Sequence, residues 1–189
     1  MTKQVTSSIM MIRPVAFRFN EQTAVNNYYQ QVLEDVTADQ VQAQAQNEFD
    51  TFVEKLRAKG VEVVVIEDTL EPNTPDSIFP NNWISFHQDG RVGLYPMCAE
   101  NRRLERREDV LTILMEQHNF VINEVIDFSH YESNDLFLEG TGSMLLDRVN
   151  KIVHAALSLR TDAKILEDFC EKFDYKAVAF TSNQTVGTD

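Results

Sequence analysis

The first candidate for chemistry is a polar cluster between residues 74 and 83. It contains Asp76 and the pair Asn81 and Asn82, where a loop with two prolines leads into a strand. Ligand pockets combine aromatic walls with a few polar groups, so the adjacent Phe79 and Trp83 favour a pocket rim. The alternative, which stays open, is a proline-rich turn whose side-chain amides cap the nearby backbone.

A second cluster is centred on Glu139, which is followed by Gly140-Thr141-Gly142. Two glycines around a threonine allow another backbone to approach closely, and the carboxylate would project from the entrance of a strand. The segment has no Walker lysine and no Rossmann spacing, so it does not predict a phosphate or dinucleotide site. Taken alone, a bulge with a solvated glutamate explains the pattern equally well.

Arginines in two loops form the third candidate group. Four arginines lie between residues 102 and 107, and Arg160 lies in a later loop. Positive charge at a helix start opposes the helix dipole, so some of these arginines are expected to have partners elsewhere. The planar fork of arginine suits a carboxylate ligand, which we expect for Arg102 and Arg160. Arg106 and Arg107 are expected in weak surface ion pairs. Their acidic neighbours are Glu105, Glu108 and Asp109.

The four histidines and two cysteines form no recognisable metal or nucleophile pattern. Their spacing does not resemble a zinc site, and the sequence predicts no metal and no cofactor. Cys98 ends a predicted strand and could be a nucleophile, but the repeat described below places no histidine to activate it. Cys170 lies among core positions of a predicted helix, and His154 alternates with core residues of a strand. Both are expected to be structural.

Alternating strands and helices must position these clusters. Apolar residues at spacings of three and four predict a helix that ends at Gly60 and buries Phe52 and Val53. Asp89-Gly90 predicts a hairpin turn. The further predicted helices are Leu104–Gln117 and Asp162–Phe173, and the predicted strands are Ile9–Arg13, Val61–Ile66, Trp83–Phe86, Val92–Met97, Phe120–Ile126, Met144–Leu146, Lys151–Leu157 and Tyr175–Phe180.

An internal repeat of about 60 residues runs through the chain. It aligns Asp68 with Asp127 and Asn81 with Glu139, and each copy has the order strand, strand, helix, strand. One such unit cannot bury both faces of its sheet, so the copies must pack together. Units around an axis would bring Asn81 and Glu139 to one cavity. The chain is thus expected to be a single domain of three units, roughly 1–75, 76–130 and 131–185.

Composition and charge narrow the classes of function. The 17 Lys and Arg against 30 Asp and Glu give a net charge of −13, which argues against a nucleic-acid partner. Twelve Phe and 43% hydrophobic residues exclude wholesale disorder. Two cysteines exclude a disulfide framework and favour a reducing compartment. No apolar stretch approaches the roughly 20 residues that span a bilayer. We expect a cytoplasmic protein without a membrane partner.

Six motifs, taken together, resemble one family. They are Met10-Met11-Ile12-Arg13-Pro14, Asn20 with Thr23-Ala24 and Asn26-Asn27, Pro75–Trp83, Tyr95-Pro96-Met97, Asn101–Arg107 and Leu138–Met144. Over nearly its whole length the chain resembles the citrulline-utilisation hydrolases. These are amidinotransferase-like proteins of the guanidino-group-modifying superfamily, which includes arginine deiminase and dimethylarginine dimethylaminohydrolase. The resemblance implies an α/β pentein fold, an α/β propeller of five ββαβ units, of which about three are present here.

The resemblance also implies roles for the site residues. In the family, a Cys thiolate attacks the central carbon of a guanidinium or ureido group, a His acts as general acid and base, and acidic side chains hold the N–H groups. Asp76 resembles the substrate-binding aspartate, and Glu139 resembles the acidic residue beside the glycine pair, which we count as catalytic. Arg102 and Arg160 resemble the arginines that bind the substrate carboxylate. The implied partner is a small amino acid with a guanidino or ureido group.

The chain departs from the family in two respects. Asn81 and Asn82 stand where dimethylarginine hydrolases have Glu-Asp, and amides also suit the neutral ureido group of citrulline. The family's His-Thr-Asn motif and late Cys have no match here. We therefore expect a C-terminally truncated member that is inactive alone, with open sheet edges that favour self-association. The alternatives are a non-catalytic ligand-binding or interaction module completed by a partner chain, and a degraded coding sequence.

Overall fold

The computed structural model describes residues 4–24 and 36–183, which alternate short strands with helices. Asn26 and Asn27 of the second motif lie outside the described residues. The strands are β1 (Ser8–Arg13), β2 (Glu62–Glu67), β3 (Ile84–Phe86), β4 (Arg91–Leu94), β5 (Glu124–Asp127), β6 (Met144–Asp147), β7 (Ile152–Ala156) and β8 (Lys176–Phe180). The helices are α1 (Glu21–Ala24), α2 (Ala38–Ala58), α3 (Glu100–Arg103), α4 (Glu108–His118), α5 (Gly140–Ser143) and α6 (Ala163–Phe173). Across these two ranges, no helix has the length and apolarity needed to cross a membrane.

The strands form three small sheets, so the predicted α/β class is confirmed. Their orders are β1-β2, β3-β4-β5 and β6-β7-β8. The two three-stranded sheets share one topology, in which an antiparallel hairpin is followed by a strand that pairs in parallel with the second hairpin strand. The hairpin turn predicted at Asp89-Gly90 is also confirmed, because β3 and β4 are antiparallel and the Gly90 amide donates to the His87 carbonyl.

The described chain divides into two compact units. The hairpin unit comprises residues 4, 81–98 and 123–183, and it holds both three-stranded sheets with α5 and α6. The helix unit comprises residues 5–24, 36–80 and 99–122, and it holds the β1-β2 sheet with α2 and α4.

The core of the hairpin unit is aromatic. Phe169 and Phe173 of α6 are fully buried, and their ring centroids are 4.8 Å apart. The prediction of this helix is confirmed: Asp162 is its N-cap and accepts the amide of the third residue, Ile165, at 3.3 Å. Leu138 belongs to the same core. The backbone immediately before Glu139 is therefore fixed by core packing.

Helix α2 dominates the helix unit. A capping box begins it, in which the Thr37 hydroxyl accepts the Gln40 amide and the Gln40 side chain accepts the Thr37 amide. Gly60 follows its end with a φ of 81°, as predicted. Val53 is buried, but the prediction for Phe52 is wrong, because its exposed fraction is 52%. Successive helical residues point about 100° apart, so only one of this adjacent pair faces the core.

The second predicted helix starts later in the structure than the sequence indicates. The sequence predicts a start at Leu104, but Leu104 is the C-cap of the preceding short helix α3 and is 52% exposed. Arg107 has an extended backbone, with φ −95° and ψ 120°, and precedes α4 as its N-cap residue. Glu108 and Asp109 form the first turn of α4, where negative charge complements the helix dipole. The expected helix therefore starts one turn later.

Strand β5 is shorter than the predicted strand over residues 120–126. Its ladder with β4 begins where Arg91 lies opposite Glu124. Just before that point, the Asn123 amide donates to the Gly90 carbonyl at 2.8 Å. Strand β4 has only four residues, so it offers no partner for a longer ladder.

Candidate functional site

The residues proposed for the site occur in both units. Those of the hairpin unit are Asn81, Asn82, Glu139 and Arg160, and those of the helix unit are Asp76 and Arg102. In the hairpin unit, Glu139 contacts both Asn82 and Arg160. In the helix unit, Asp76 and Arg102 belong to a polar cluster of their own.

Glu139 is a buried carboxylate, 1% exposed, surrounded by N–H donors. Its Oε1 accepts the backbone amide of Cys98 at 3.1 Å. Its Oε2 accepts Nδ2 of Asn82 at 3.0 Å and Nε of Arg160 at 2.8 Å. The Nη2 group of Arg160 contacts the same oxygen. Guanidinium and amide groups present N–H donors of this kind, so the arrangement can bind a ligand that carries them.

A single turn of helix, α5, positions this carboxylate. The Glu139 carbonyl accepts the amides of Gly142 and Ser143 at 2.9 and 3.0 Å. The Ser143 hydroxyl accepts the Glu139 amide at 3.0 Å and donates to the Arg160 carbonyl at 2.6 Å. Ser143 thus joins the backbones of both members of the ion pair. The alternative of a solvated Glu139 in a bulge is contradicted by its burial.

The two glycines of α5 allow another segment to approach closely, as predicted, and the structure identifies that segment as the asparagine pair. A β-carbon at Gly142 would lie 2.5 Å from Nδ2 of Asn82. At Gly140 it would lie 2.4 Å from the carbonyl oxygen of Asn81. Asn81 contacts α5 through this backbone oxygen, which also accepts a hydrogen bond from the Thr141 hydroxyl at 3.4 Å. Asn81 as a whole is exposed.

Asp76 is held by an amide network in the helix unit. Its Oδ2 accepts Nδ2 of Asn20 at 2.7 Å and the Thr23 hydroxyl at 3.1 Å. Oδ1 of Asn20 accepts Nδ2 of Asn101 at 2.8 Å and the Gln22 amide at 3.2 Å. Asn20 belongs to one of the sequence motifs, but no local pattern predicts its partner, because 56 positions separate it from Asp76.

Arg102 is 4% exposed and forms a two-pronged ion pair with Glu105, which is equally buried. Its Nε and Nη2 donate to the two Glu105 oxygens at 2.8 and 2.9 Å. Nη2 also donates to the carbonyls of Phe79 and Asp76 at 3.1 and 3.4 Å. The expectation that Glu105 is a surface partner of other arginines is wrong, because the i,i+3 spacing brings it to Arg102 inside the protein.

Arg107 confirms the expected pairing with Asp109. Its Nη2 and Nε donate to the Asp109 carboxylate at 2.6 and 3.0 Å, and Nη1 donates to the Glu67 carbonyl at 2.8 Å. The guanidinium holds the pKa of the Asp109 carboxyl below its usual value. Asp109 is 54% exposed, so this pair contributes little to stability.

A histidine that the sequence did not single out lies among the core rings of the hairpin unit. The His87 ring is 4.2 Å from that of Phe173, and its Nε2 is 3.0 Å from the Ser85 hydroxyl. Burial, with a smaller effect from Arg148, lowers the pKa of His87 to about 3. Burial also raises the pKa of the Cys170 thiol, which makes it a poor nucleophile. Within the described ranges, no three His, Cys, Asp or Glu side chains gather as metal ligands.

Three solved structures share this fold. The N-terminal domain of ArgZ bound to substrate, an arginine dihydrolase from cyanobacteria, is 18% identical with a TM-score of 0.61, covering 91% of this chain and 56% of that one. A dimethylarginine dimethylaminohydrolase adduct with S-methyl-L-thiocitrulline is 15% identical with a TM-score of 0.63, covering 99% and 64%. A mutant DDAH from Pseudomonas aeruginosa complexed with citrulline is 13% identical with a TM-score of 0.62, covering 95% and 62%.

The TM-scores show a common fold, and this chain spans between 56% and 64% of the length of those three chains. No curated protein matches the sequence. The family described as N,N dimethylarginine dimethylhydrolase, eukaryotic, matches residues 13–189. The chain therefore belongs to this dimethylarginine dimethylhydrolase family, within the guanidino-group-modifying pentein superfamily.

Proposed function

We propose that these 189 residues form the substrate-binding part of a hydrolase that cleaves a C–N bond in the guanidino or ureido group of an arginine- or citrulline-like amino acid. The family match over residues 13–189 supports the reaction class. The proposal includes three ββαβ units of a pentein, roughly 1–75, 76–130 and 131–185, and a cytoplasmic location. The shared topology of the two three-stranded sheets supports the repeat.

The contact between Glu139 and Arg160 is the observation that carries this proposal. A guanidinium already binds the buried carboxylate through two of its N–H groups. The planar group of arginine or of a methylated arginine presents the same donors, and carboxylates bind such a fork strongly. Asn82 adds an amide to the same oxygen. Glu139 is therefore proposed as the catalytic carboxylate that orients the reacting group.

The other substrate contacts in the proposal follow from side-chain chemistry. The carboxylate of Asp76 would accept N–H groups of the substrate. Asn81 and Asn82 would suit a neutral ureido group, because amides both donate and accept hydrogen bonds. Arg102 and Arg160 would bind the substrate carboxylate. The internal hydrogen bonds of Arg102 to Glu105 and to two carbonyls support a second role for it, as an anchor of the turn after Asp76.

Binding by this chain can be tested with calorimetric titrations of L-arginine and L-citrulline. We expect saturable binding of at least one of them and a loss of about tenfold or more in affinity in Glu139→Gln, because a charge-assisted hydrogen bond is replaced by a neutral one. Glu124→Gln is the matched control, since Glu124 is an exposed residue of β5 in the same unit. Equal binding by all three proteins, or binding by none, would overturn the proposal.

Hydrolysis by the chain alone is a separate question. The sequence has no match to the family's His-Thr-Asn motif or to its nucleophilic Cys, so we propose that the chain binds without hydrolysing. The measurement is release of ammonia from arginine, citrulline or a methylated arginine. We expect none above the uncatalysed rate. Release that disappears in Cys98→Ala would contradict the proposed lack of activity and identify Cys98 as the nucleophile.

Strand β8 favours a second candidate, an interaction module that a partner chain completes. All five residues of β8 are exposed, with Val178 at 45% and Phe180 at 47%. In the described part of the sheet, β8 pairs with β7 alone. An exposed edge strand with apolar side chains can add a strand from another chain.

The two candidates predict different sedimentation behaviour. If β8 pairs with a second copy, the sedimentation coefficient will rise with protein concentration, and Val178→Lys will abolish that rise by placing charge on the strand. A species of 21.7 kDa at all concentrations, in both proteins, would exclude self-association.

A further inference from the structure

The ion pair between Arg160 and Glu139 uses the same carboxylate that the proposed function gives to the ligand. This inference rests on that function. Nε and Nη2 of Arg160 both donate to Oε2 of Glu139. A ligand that offers its own guanidino or ureido N–H groups to this oxygen competes with Arg160 for it.

The two members of the pair differ in burial. The side chain of Glu139 is 2% exposed, whereas that of Arg160 is 32% exposed. A buried carboxylate without its partner is strongly unfavourable, but a half-buried guanidinium can turn towards water at smaller loss. The pair can therefore open on the Arg160 side, provided that another N–H donor replaces Arg160 at Glu139.

The Arg160 backbone keeps its place when the side chain turns. The Ser143 hydroxyl donates to the Arg160 carbonyl, and the Ser158 hydroxyl accepts the Arg160 amide at 3.2 Å. The Asn82 and Cys98 donors to Glu139 come from other segments of the hairpin unit. The exchange consequently needs only a side-chain rotation.

We propose that Arg160 is a specificity-determining residue: it covers Glu139 in the free protein and leaves it only for a ligand that also carries a carboxylate. A guanidino amino acid breaks one ion pair and forms two, because its guanidinium binds Glu139 and its carboxylate binds Arg160. A ureido amino acid breaks one ion pair and forms one with Arg160, and its neutral ureido N–H groups donate hydrogen bonds to Glu139. A ligand with the guanidinium alone breaks one pair and forms one. Arg160 thereby selects amino acids against their decarboxylated amines.

The test compares L-arginine with agmatine, which is arginine without its carboxylate, by calorimetric titration of the full chain. The wild-type protein is expected to prefer arginine by about tenfold or more. In Arg160→Gln, agmatine should bind about tenfold more tightly because its competitor is gone. The affinity of this variant for arginine should change by less than about threefold, since the loss of competition at Glu139 offsets the loss of the contact with the ligand's carboxylate.

Arg91→Gln is the matched control. Arg91 pairs with Asp89 at the hairpin turn of the same unit, and its loss changes the net charge by the same amount. Its affinities for both ligands should equal those of the wild type, which separates the ion-pair effect from the general attraction of an acidic protein for cations.

The outcomes separate this inference from the proposed function. Suppose that Arg160→Gln leaves the affinity for agmatine unchanged while the affinity for arginine falls tenfold. Arg160 then only binds the ligand's carboxylate and does not compete for Glu139, which would overturn this proposal. If neither the wild type nor any variant binds either ligand, both the proposed function and this inference are wrong. Should Arg160→Gln fail to fold, Arg160→Lys keeps the charge but loses the two-pronged contact. This variant is expected to bind agmatine more tightly than the wild type does, by a smaller factor than Arg160→Gln. An unchanged affinity for agmatine would overturn the proposal.

Discussion

Gly142 lies so close to the side chain of Asn82 that a β-carbon at position 142 would be 2.5 Å from Nδ2. That nitrogen is the donor to Oε2 of Glu139 at 3.0 Å. The absence of a side chain at position 142 is therefore what allows Asn82 to reach the buried carboxylate.

Gly142→Ala should weaken ligand binding more than it weakens the fold. The methyl group meets the end of a side chain, which can rotate away at a loss of about 1 kcal/mol in the free energy of unfolding. The rotation removes the Asn82 donor from Glu139, so affinity for arginine or citrulline should fall by about tenfold. Calorimetry and urea unfolding measure the two effects. Unchanged affinity would show that Asn82 does not need its present position.

Gly140→Ala should instead damage the fold. Gly140 has a φ of 41°, and a β-carbon there would lie 2.4 Å from the Asn81 carbonyl oxygen, which cannot rotate away. We expect a loss of roughly 2–4 kcal/mol in the free energy of unfolding. Gly60→Ala separates the backbone effect, because Gly60 has a φ of 81° but nothing within 4 Å, and should lose only about 1–2 kcal/mol. An equal loss in both variants would exclude the steric contact as the cause.

Removal of one member of the buried pair Arg102–Glu105 should strongly destabilise the helix unit. Arg102→Met leaves Glu105 as an unpaired carboxylate, and the expected loss is about 3–5 kcal/mol in urea unfolding. The control is Arg13→Met, because Arg13 pairs with Asp50 at the surface and should lose less than about 1 kcal/mol.

A double variant checks the origin of that loss. When Glu105→Met is combined with Arg102→Met, no unpaired charge stays inside, and much of the stability should return. If the double variant is as unstable as the sum of the single ones, the two residues do not act as a pair.

Stability should fall as the pH falls below about 6.5, partly because of His87. Its pKa is about 3 in the folded protein and near 6.5 in the unfolded chain, so the unfolded chain binds the extra proton between these values. The contribution is complete above pH 6.5 and declines towards pH 3, by up to about 1.4 kcal/mol per pH unit.

The variant His87→Phe isolates this contribution. It keeps a ring against Phe173, and Ser85 retains the Tyr95 hydroxyl at 2.6 Å. The stability difference between wild type and variant, measured by urea unfolding at pH 7 and pH 5, should shift in favour of the variant at pH 5. A difference that is the same at both pH values would mean that His87 titrates normally.

Local patterns in the sequence predicted most elements of the fold. The hairpin turn at Asp89-Gly90, the end of α2 at Gly60 and the helix after Asp162 all depend on residues within a few positions of one another. The predictions failed where contacts with residues far away in the sequence determine the structure. Val53 is buried in the core whereas its neighbour Phe52 is exposed, and β5 is shorter than predicted because its partner strand β4 is short.

The site was predictable in its residue types but not in its pairings. The sequence identified Glu139 and Arg160 separately, yet nothing in it showed that they meet, since 21 positions separate them. Glu105 looked like an ordinary surface acid, because a charged helical neighbourhood gives no sign of burial. Whether a side chain is buried, and which residue it pairs with, depend on tertiary packing, which no short segment of the sequence determines by itself.

Whether Glu139 receives the guanidino or ureido group of an amino acid can be seen in a crystal structure of the chain grown with L-arginine. We expect ligand N–H groups within about 3 Å of Oε2 of Glu139, in the position that Arg160 Nε now holds at 2.8 Å. A bound arginine that leaves the Arg160–Glu139 pair intact and contacts neither residue would contradict this expectation.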